Sequence, residues 1–395
     1  MTGMPITTGR RRIRLMRRAE TKPVYEVICR IVAVILALLV AGVVIKLTGI
    51  SPILMLQKAL KSTLGSSYGL QQALVLATPL IFCGLSVAVG LRMNLWNIGA
   101  EGQLFMGAWA ATWVGLFIPG PTALILPLMF IAGALAGAIW ILVPALARAI
   151  LNINEIITTL LLNFVAILFV NYFSIGPWRD SGVGILLATR KVKAALPTFG
   201  NSYVHYGILI AVAIALVLAF SIQRTRWGYE IRVIGRNRRA GRFAGMPVNR
   251  NILLVMLISG AIAGVGGMSE VAGNVHRLSG TISNQYGYQG IIVAALSSGA
   301  PLVVLPVGFL LAILLNAGIV LQAQGISVNT MLAINGVILL FAAVGWVASQ
   351  YRLVVSRDPT VDEINEELRN LELEEEEVTP SALPLKIEDV EKYER

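Results

Sequence analysis

The chain has 395 residues, of which 56% are hydrophobic and 13% are charged, and its mean hydropathy is +0.76. Soluble domains draw about a quarter of their residues from the charged types. The net charge of +11 is unevenly distributed, because residues 352–395 contain six basic and 14 acidic residues while Leu278–Tyr351 contains no charged residue. This composition excludes a soluble globular enzyme, a nucleic-acid-binding domain and a disordered chain. It indicates a polytopic integral membrane protein.

Apolar segments in chain order predict an all-α membrane protein with about ten transmembrane helices. A bilayer core about 30 Å thick requires about 20 apolar residues per helix, and the sequence lacks the alternation typical of barrel strands. The predicted segments are 28–48, 68–91, 102–118, 122–147, 156–176, 204–222, 251–270, 287–300, 302–322 and 329–349. Residues 287–300 are too few for a full span, so they predict a short or re-entrant helix, whose backbone must be covered by protein or a water-filled cavity.

Basic and acidic residues predict the domain organisation and orientation. Residues 1–27 are a basic arm, residues 28–351 a transmembrane domain with a basic loop at 224–250, and residues 352–395 an acidic tail. Six predicted spans separate the arm from the basic loop, so the positive-inside rule places both in the cytoplasm. Ten spans place the acidic tail, which contains the pattern of a short amphipathic helix at 360–371, on the same side.

The loop at residues 177–203 is basic although this topology places it outside. Its charged residues are Arg179, Asp180, Arg190, Lys191 and Lys193. Either a modest outside charge is tolerated because the inner basic regions determine the topology, or these residues meet an acidic extracellular partner. Both interpretations are open on the sequence alone.

Glycines recur within the predicted spans, at Gly133 and Gly137 and again at Gly260, Gly264 and Gly267. Small residues allow helices to approach closely in a membrane, where apolar burial gives no driving force between them. Close helix packing is therefore the expected role of these glycines.

The first polar stretch in the apolar background is Asn97-Ile98-Gly99-Ala100-Glu101-Gly102-Gln103. A carboxylate near the membrane is costly and is expected to face protein or water. One interpretation is a turn between helices with Glu101 at the cytoplasmic surface, and the other is a functional site.

The second stretch is Gly235–Pro247 within the basic loop. Asn237 can cap a short helix of about two turns, Gly245 can end it, and Pro247 prevents its continuation. Phe243 would then be an exposed apolar side chain on this helix. The helix either binds anionic lipid through its arginines, each contributing roughly 1 kcal/mol, or docks a cytoplasmic subunit.

The third stretch contains Gly273–Arg277 and then Asn284–Gly290, just before the short eighth segment. Amide and aromatic side chains beside a break in a membrane helix suit a polar, uncharged ligand such as a sugar hydroxyl or a base edge. An aromatic interface belt with ordinary helix caps is the alternative.

The sequence lacks the motifs that several kinds of chemistry require. The sequence contains no P-loop, no G-x-S-x-G and no H-E-x-x-H motif, so we expect no catalytic residues and no hydrolysis of ATP by this chain. Cys29, Cys83, His205 and His276 lack the spacing of a disulfide framework or a metal site. Apart from Glu101, only Glu270 is an intramembrane acid after the first span, and this disfavours a proton- or sodium-coupled carrier.

The stretches Asn97–Gln103, Gly235–Val248 and Tyr286–Pro301 resemble motifs of the bacterial ABC-importer permeases of the branched-chain amino acid and simple-sugar group. The similarity covers roughly residues 60–350 and is closest to nucleoside permeases that work with a substrate-binding lipoprotein. It does not extend to the basic arm or the acidic tail.

The resemblance implies a subunit that pairs with a homologous permease in the bacterial plasma membrane. Two cytoplasmic ATPase subunits would use ATP and Mg²⁺, an extracytoplasmic lipoprotein would deliver substrate, and this chain would bind no cofactor itself. By the resemblance, the residues that dock the ATPase are Asn237, Arg238, Arg239, Arg242, Phe243, Ala244 and Gly245. The residues expected along the substrate pathway, from the motif and the third stretch, are Asn97, Glu101, Gln103, Asn284 and Gln289.

The sequence therefore predicts an ABC-importer permease for nucleosides. Simple sugars and then branched-chain amino acids are the alternative substrates. A secondary carrier or channel, and a membrane-embedded enzyme, are the alternatives from other classes.

Overall fold

The computed structural model describes residues 11–17, 23–47, 49, 51–182, 187–323, 325 and 327–357, and most of them are helical. The helices in chain order are α1 (Pro23–Leu47), α2 (Pro52–Thr63), α3 (Ser67–Leu91), α4 (Ala100–Phe117), α5 (Thr122–Leu151), α6 (Glu155–Ile175), α7 (Gly207–Arg224), α8 (Arg226–Arg236), α9 (Arg238–Phe243), α10 (Val248–Glu270), α11 (Tyr286–Leu296), α12 (Pro301–Ala323) and α13 (Val328–Gln350). A π-helical turn, Val271–Val275, continues α10.

Each of the ten predicted apolar segments coincides with one of these helices, so the all-α prediction is confirmed. Within the described residues, six helices are long and apolar enough to cross a membrane, and a seventh span results if α1 and α2, which are bent by 115°, count as one. The helix α4 is less apolar because its first turn contains Glu101 and Gln103, and α11 has only 11 residues. The number of ten spans stays a prediction.

The chain divides into two compact units. The larger is Val27–Trp346. The other comprises Met1–Glu26 and Val347–Arg395, and its described part includes a two-stranded antiparallel ribbon, β1 (Arg11–Arg17) with β2 (Tyr351–Arg357). The sequence analysis did not predict this ribbon, because its two strands lie more than 330 residues apart. The helix predicted at 360–371 lies outside the described residues.

Glycines bring α4, α5 and α10 into backbone contact in the core of the larger unit. A Cβ on Gly107 of α4 would overlap the backbone of Gly264 in α10, and a Cβ on Gly264 would overlap the carbonyl oxygen of Gly133 in α5. Gly137 and Gly260 meet in the same way one turn along. Contacts this close are available only to residues without a Cβ. The packing role predicted for the glycines is therefore confirmed.

Loops gather at the two ends of α10. At the end where α10 begins, Gly235 of α8 lies against the backbone of Arg92. At the end where α10 finishes, Arg277 forms an ion pair with Asp180 at 2.9 Å, and the Val192 N–H donates a hydrogen bond of 2.8 Å to the carbonyl of His276. The described residues of the loop 177–203 thus lie at the end opposite the basic loop.

Candidate functional site

The short helix α11 begins inside the helix bundle. Gly290, in its first turn, lies against the backbone of Cys83 near the middle of α3, whereas Gly299, beyond its end, lies near Leu91 at the end of α3. The helix therefore runs from the interior to the end of the bundle that carries the basic loop. Its position agrees with the short helix predicted from residues 287–300.

Two side chains bind the N-terminal backbone of α11. The Glu101 carboxylate accepts a hydrogen bond of 2.6 Å from the Gly287 N–H, and the Ser283 Oγ accepts one of 3.1 Å from the Tyr286 N–H. A Cβ on Gly287 would overlap the backbone nitrogen of Glu101. Only glycine lets the two helix N-termini approach so closely, so α4 and α11 are joined through one carboxylate.

The amides of Asn97 and Gln103 bind each other. The Asn97 Nδ2 donates to the Gln103 Oε1 at 2.8 Å, and the Gln103 Nε2 donates to the Asn97 Oδ1 at 2.9 Å. The Asn97 Nδ2 also donates to the Ser259 Oγ at 2.8 Å, and the Gly99 N–H donates to the Asn97 Oδ1 at 3.0 Å. Both amides are buried and satisfied. They hold the turn before α4 against α10, and their predicted place on the substrate pathway stays a prediction.

A row of buried polar residues on α6 faces the same turn, and the sequence analysis missed it. Glu155, Thr159 and Asn163 are 4%, 1% and 0% exposed. The Asn163 Oδ1 accepts from the Gly102 N–H at 2.9 Å, and its Nδ2 donates to the Ile98 carbonyl at 2.9 Å. The sequence does contain a signal for this row. Glu155, Thr159 and Asn163 are spaced at i, i+4 and i+8, and this spacing places them on one face of an apolar helix.

A cavity of about 350 Å³ lies beside the N-terminus of α11. It is lined by Leu76, Gly280, Thr281, Ser283, Asn284, Gln285, Gln289, Leu315, Gly318, Ile319 and Gln322. None of these lining residues is charged. Amides and hydroxyls from residues 281–289 form one side, and apolar side chains of α3 and α12 form another.

Gln289 is one of the residues that line this cavity. Its Nε2 donates a hydrogen bond of 3.1 Å to the carbonyl of Asn284, and this bond determines the orientation of the amide. The Oε1 is buried and has no hydrogen-bond partner, while the residue as a whole is 4% exposed. A buried acceptor without a partner costs about 1–3 kcal/mol. Of the five predicted pathway residues, Asn284 and Gln289 line the cavity.

The second intramembrane acid, Glu270, is 1% exposed. Its Oε1 accepts a hydrogen bond of 2.6 Å from the Asn274 Nδ2, across the π-helical turn. Within the described residues, no group of three or more His, Cys, Asp or Glu side chains could hold a metal ion.

The basic loop folds as its sequence predicted. The Asn237 Oδ1 accepts hydrogen bonds from the N–H groups of Arg239 and Ala240, at 2.9 and 3.2 Å, and so caps α9. Gly245 follows the helix with φ +71°. Phe243 is 93% exposed, which leaves a large apolar side chain on a helix of six residues. We name α9 the coupling helix, after the ATPase-docking role that the resemblance of its sequence implies.

Partial burial distinguishes Arg238 from the other arginines of the coupling helix. Burial, and then the neighbouring Arg148, lower the pKa of Arg238, while Glu155 acts in the opposite direction. Arg238 therefore lies within electrostatic range of the end of α5 and the start of α6.

At the other end of the bundle, ionisable groups pack between the loop 177–206 and residues 272–278. The hydrogen bond from Arg277 is the main cause that lowers the pKa of Asp180. Burial, and then His276, lower the pKa of His205 to about 4. The His205 Nδ1 accepts from the Gly207 N–H at 3.2 Å, so the ring is held in its neutral form.

The fold and these sites define a polytopic helical membrane protein with a cluster of buried polar residues in an apolar core and a capped basic helix at one end. Residues 69–343 match the family described as branched-chain amino acid transport system / permease component. The chain therefore belongs to this family of ABC transporter permeases, which are transport subunits of the plasma membrane and not enzymes themselves.

Three relatives are similar over most of their length. The glucose ABC transporter permease protein TsgB13 of Haloferax volcanii is 35% identical over 343 residues, which cover 83% of this chain and 90% of the relative. The guanosine ABC transporter permease protein NupP of Bacillus subtilis is 31% identical, with 79% and 92% covered. The nucleoside ABC transporter permease protein NupB of Lactococcus lactis is 29% identical, with 82% and 92% covered. No solved structure matches the chain.

Proposed function

We propose that this chain is the permease subunit of an ATP-driven ABC importer that translocates nucleosides. The observation that carries the proposal is the uncharged cavity beside α11, whose lining includes the amides of Asn284, Gln285 and Gln289 as hydrogen-bond donors and acceptors. A nucleoside has hydroxyl and N–H donors for such acceptors, and a base whose apolar faces suit the leucine and isoleucine side. Two of the relatives are named as a guanosine permease and a nucleoside permease, and these names support the same substrate class.

Nucleosides are uncharged, and this distinguishes them from branched-chain amino acids, one of the alternative substrates. A branched-chain amino acid carries an ammonium and a carboxylate, and burial of either without a charged partner is costly. No lining residue of the cavity offers such a partner. Simple sugars are uncharged, and the glucose permease relative favours them, so they are the second candidate.

The partners follow from the proposed class. The coupling helix, with Phe243 exposed, would dock a cytoplasmic ATPase subunit that uses ATP and Mg²⁺. A second homologous permease would complete the pathway, and an extracytoplasmic lipoprotein would deliver substrate to the opposite end, where the loop 177–203 lies. In this arrangement both termini are cytoplasmic.

The test is uptake by the reconstituted complex. Liposomes are prepared that contain the chain, its partner permease, the ATPase and the lipoprotein, with ATP inside or outside. Labelled guanosine, glucose and leucine are then offered separately. We expect ATP-dependent accumulation of guanosine that excess glucose and leucine do not reduce. Accumulation of glucose alone would support the sugar alternative, and gradient-driven accumulation by the single chain without ATP would support a secondary carrier.

A further inference from the structure

The β1–β2 ribbon is strongly basic. Each strand has seven residues, with four arginines in β1 and two in β2, and neither strand contains an acidic residue. Within the described residues the sheet has only these two strands. A two-stranded ribbon alone is marginally stable in water, and it becomes stable when it packs against a further strand or a helix. The ribbon therefore needs an element that covers it.

One face of the ribbon has an apolar centre. Ile13 pairs with Val355, and Leu15 pairs with Leu353. Residues two apart along a strand lie on the same face of a sheet, so these two neighbouring pairs form one apolar patch. We name the face that contains them the apolar face of the ribbon.

Arginines flank this patch along the strands. On the same face, Arg11 pairs with Arg357 beyond one apolar pair, and Arg17 pairs with Tyr351 beyond the other. Like charges directly opposite each other destabilise paired strands. The apolar face therefore favours an occupant that supplies apolar side chains at its centre and negative charge at its ends.

The acidic tail has this combination of residues. Residues 358–395 contain four basic and 14 acidic residues. The helix predicted at 360–371, which we name the tail helix, has an apolar side whose residues recur at intervals of three and four. These residues are Val361, Ile364, Leu368 and Leu371.

The tail helix is connected to β2 by a short segment. Only Asp358 and Pro359 separate the end of β2 from Thr360, which has capping-box spacing to Glu363. Loops of two or three residues that end in a capping threonine are typical between a strand and a helix that packs back on it. The tail helix is therefore expected to run antiparallel to β2.

The lengths of the two elements agree. A helix over 360–371 is about 18 Å long, and a strand of seven residues is about 23 Å long. Measured from the end of β2, the rise per residue places Ile364 level with the Ile13–Val355 pair. It places Leu368 level with the next apolar pair, which contains Leu15. The apolar residues of both elements thus match in spacing.

We propose that the tail helix docks on the apolar face of the β1–β2 ribbon, with carboxylates of the tail beside the flanking arginines. The ribbon and the tail both lie outside residues 69–343, the part of the chain that matches the permease family. The inference therefore goes beyond the proposed function and does not depend on the substrate. The docked helix would join the basic arm to the acidic tail and neutralise arginines that could otherwise bind anionic lipid.

Disulfide formation in the full-length chain tests this docking. The variant Leu15→Cys with Leu368→Cys introduces one cysteine into the apolar face and one into the apolar side of the tail helix. The chain is reconstituted in nanodiscs of zwitterionic phosphatidylcholine and oxidised. The disulfide closes a loop that comprises most of the chain, so a mobility shift on a non-reducing gel measures its rate of formation.

The matched control is Leu15→Cys with Glu366→Cys. Glu366 is two positions from Leu368, a rotation of about 200° that places it on the opposite side of the tail helix. The Leu368 pair should form its disulfide at least about tenfold faster, because docking raises the effective concentration of one cysteine at the other. Equal rates in the two variants, or no disulfide in either, would overturn the docking.

A charge reversal tests the role of the arginines. Addition of Arg11→Glu and Arg357→Glu to the Leu368 pair should slow disulfide formation about fivefold, the effect of two lost attractions that each have the size of a surface ion pair. An unchanged rate would contradict the charge complementarity on which the proposal rests.

Anionic lipid is the alternative occupant of the apolar face. In nanodiscs of anionic phosphatidylglycerol, the Leu368 pair should form its disulfide as fast as in phosphatidylcholine if the tail helix is the occupant. A disulfide that forms in phosphatidylcholine but not in phosphatidylglycerol would show that lipid headgroups displace the tail helix, and would overturn the proposal.

Discussion

The carboxylate of Glu101 accepts a hydrogen bond from the backbone N–H of Gly287, 186 residues further along the chain, at 2.6 Å. The first N–H groups of a helix have no partner within the helix, and the positive end of its dipole favours a negative charge. The N-terminus of α11 lies inside the bundle, and Gly287 is itself buried. Glu101 therefore stabilises the N-terminus of α11, because it provides an acceptor for a buried N–H group that has no partner within the helix.

Replacement of Glu101 with Gln should slow transport about tenfold while assembly with the ATPase persists. Glutamine keeps an acceptor for Gly287 but loses the negative charge, and hydrogen bonds to charged groups are worth about 1.4 kcal/mol more than neutral ones, a factor of ten. Initial uptake rates and co-purification of the ATPase measure both effects. Glu101→Leu, which keeps no acceptor, should be slower still. Wild-type uptake by the Gln variant would show that the charge is not required.

Hydropathy and capping residues were enough to predict much of the fold. Ten apolar segments are ten helices, and the Asn237 cap and Gly245 stop of α9 lie where local chemistry requires them. The partners of buried polar groups could not be predicted, because they depend on contacts between distant segments. Asn97 and Gln103 are an example, because the sequence gives no sign that their amides bind each other.

The coupling helix provides the second prediction. Phe243→Asp should weaken co-purification of the ATPase and abolish substrate-stimulated ATP hydrolysis, because an unpaired carboxylate would replace an apolar side chain in a dry groove, at a cost of several kcal/mol. The permease itself should still insert, since Phe243 has almost no contacts within the chain, with 93% of its surface exposed.

The comparison variant for the coupling helix removes charge and keeps Phe243. Arg238→Ala with Arg239→Ala should affect the ATPase complex less than Phe243→Asp if the helix docks in a protein groove. If the helix only binds anionic lipid, the order should be reversed. A fully active complex that carries Phe243→Asp would contradict the docking role.

The histidines at the opposite end predict a dependence of stability on pH. His205 has an ordinary pKa of 6.5 and a folded-state pKa of about 4, so between these values the unfolded chain binds a proton that the folded chain does not. The stability that neutral His205 contributes is therefore complete above pH 6.5 and is lost as the pH falls from 6.5 to 4. Thermal unfolding in detergent across this range should show a melting temperature that rises with pH.

Asparagine is the matched replacement for both histidines. In His205→Asn the Oδ1 can accept from the Gly207 N–H in place of the Nδ1, so the titration is removed and the hydrogen bond is kept. The rise in melting temperature between pH 4 and 6.5 should become shallower. Burial also lowers the pKa of His276, and the backbone of this residue, at φ +57°, suits asparagine. In the double variant, with both histidines replaced by asparagine, the rise in melting temperature should therefore be shallower again. An unchanged pH profile would show that His205 does not titrate in this range.

The place of Gln289 in the lining of the cavity predicts an effect on substrate affinity. Gln289→Leu removes the side-chain amide from the lining of the cavity, so the KM for guanosine uptake should rise about tenfold, the factor expected for the loss of one hydrogen bond of about 1.4 kcal/mol. The maximal rate and the ATPase content should change much less, because the coupling helix is untouched. Gln71→Leu, at a glutamine outside the cavity that accepts from the Tyr203 N–H, is the control and should leave the KM unchanged. An equal KM in the wild type and in Gln289→Leu would remove this cavity from the substrate pathway.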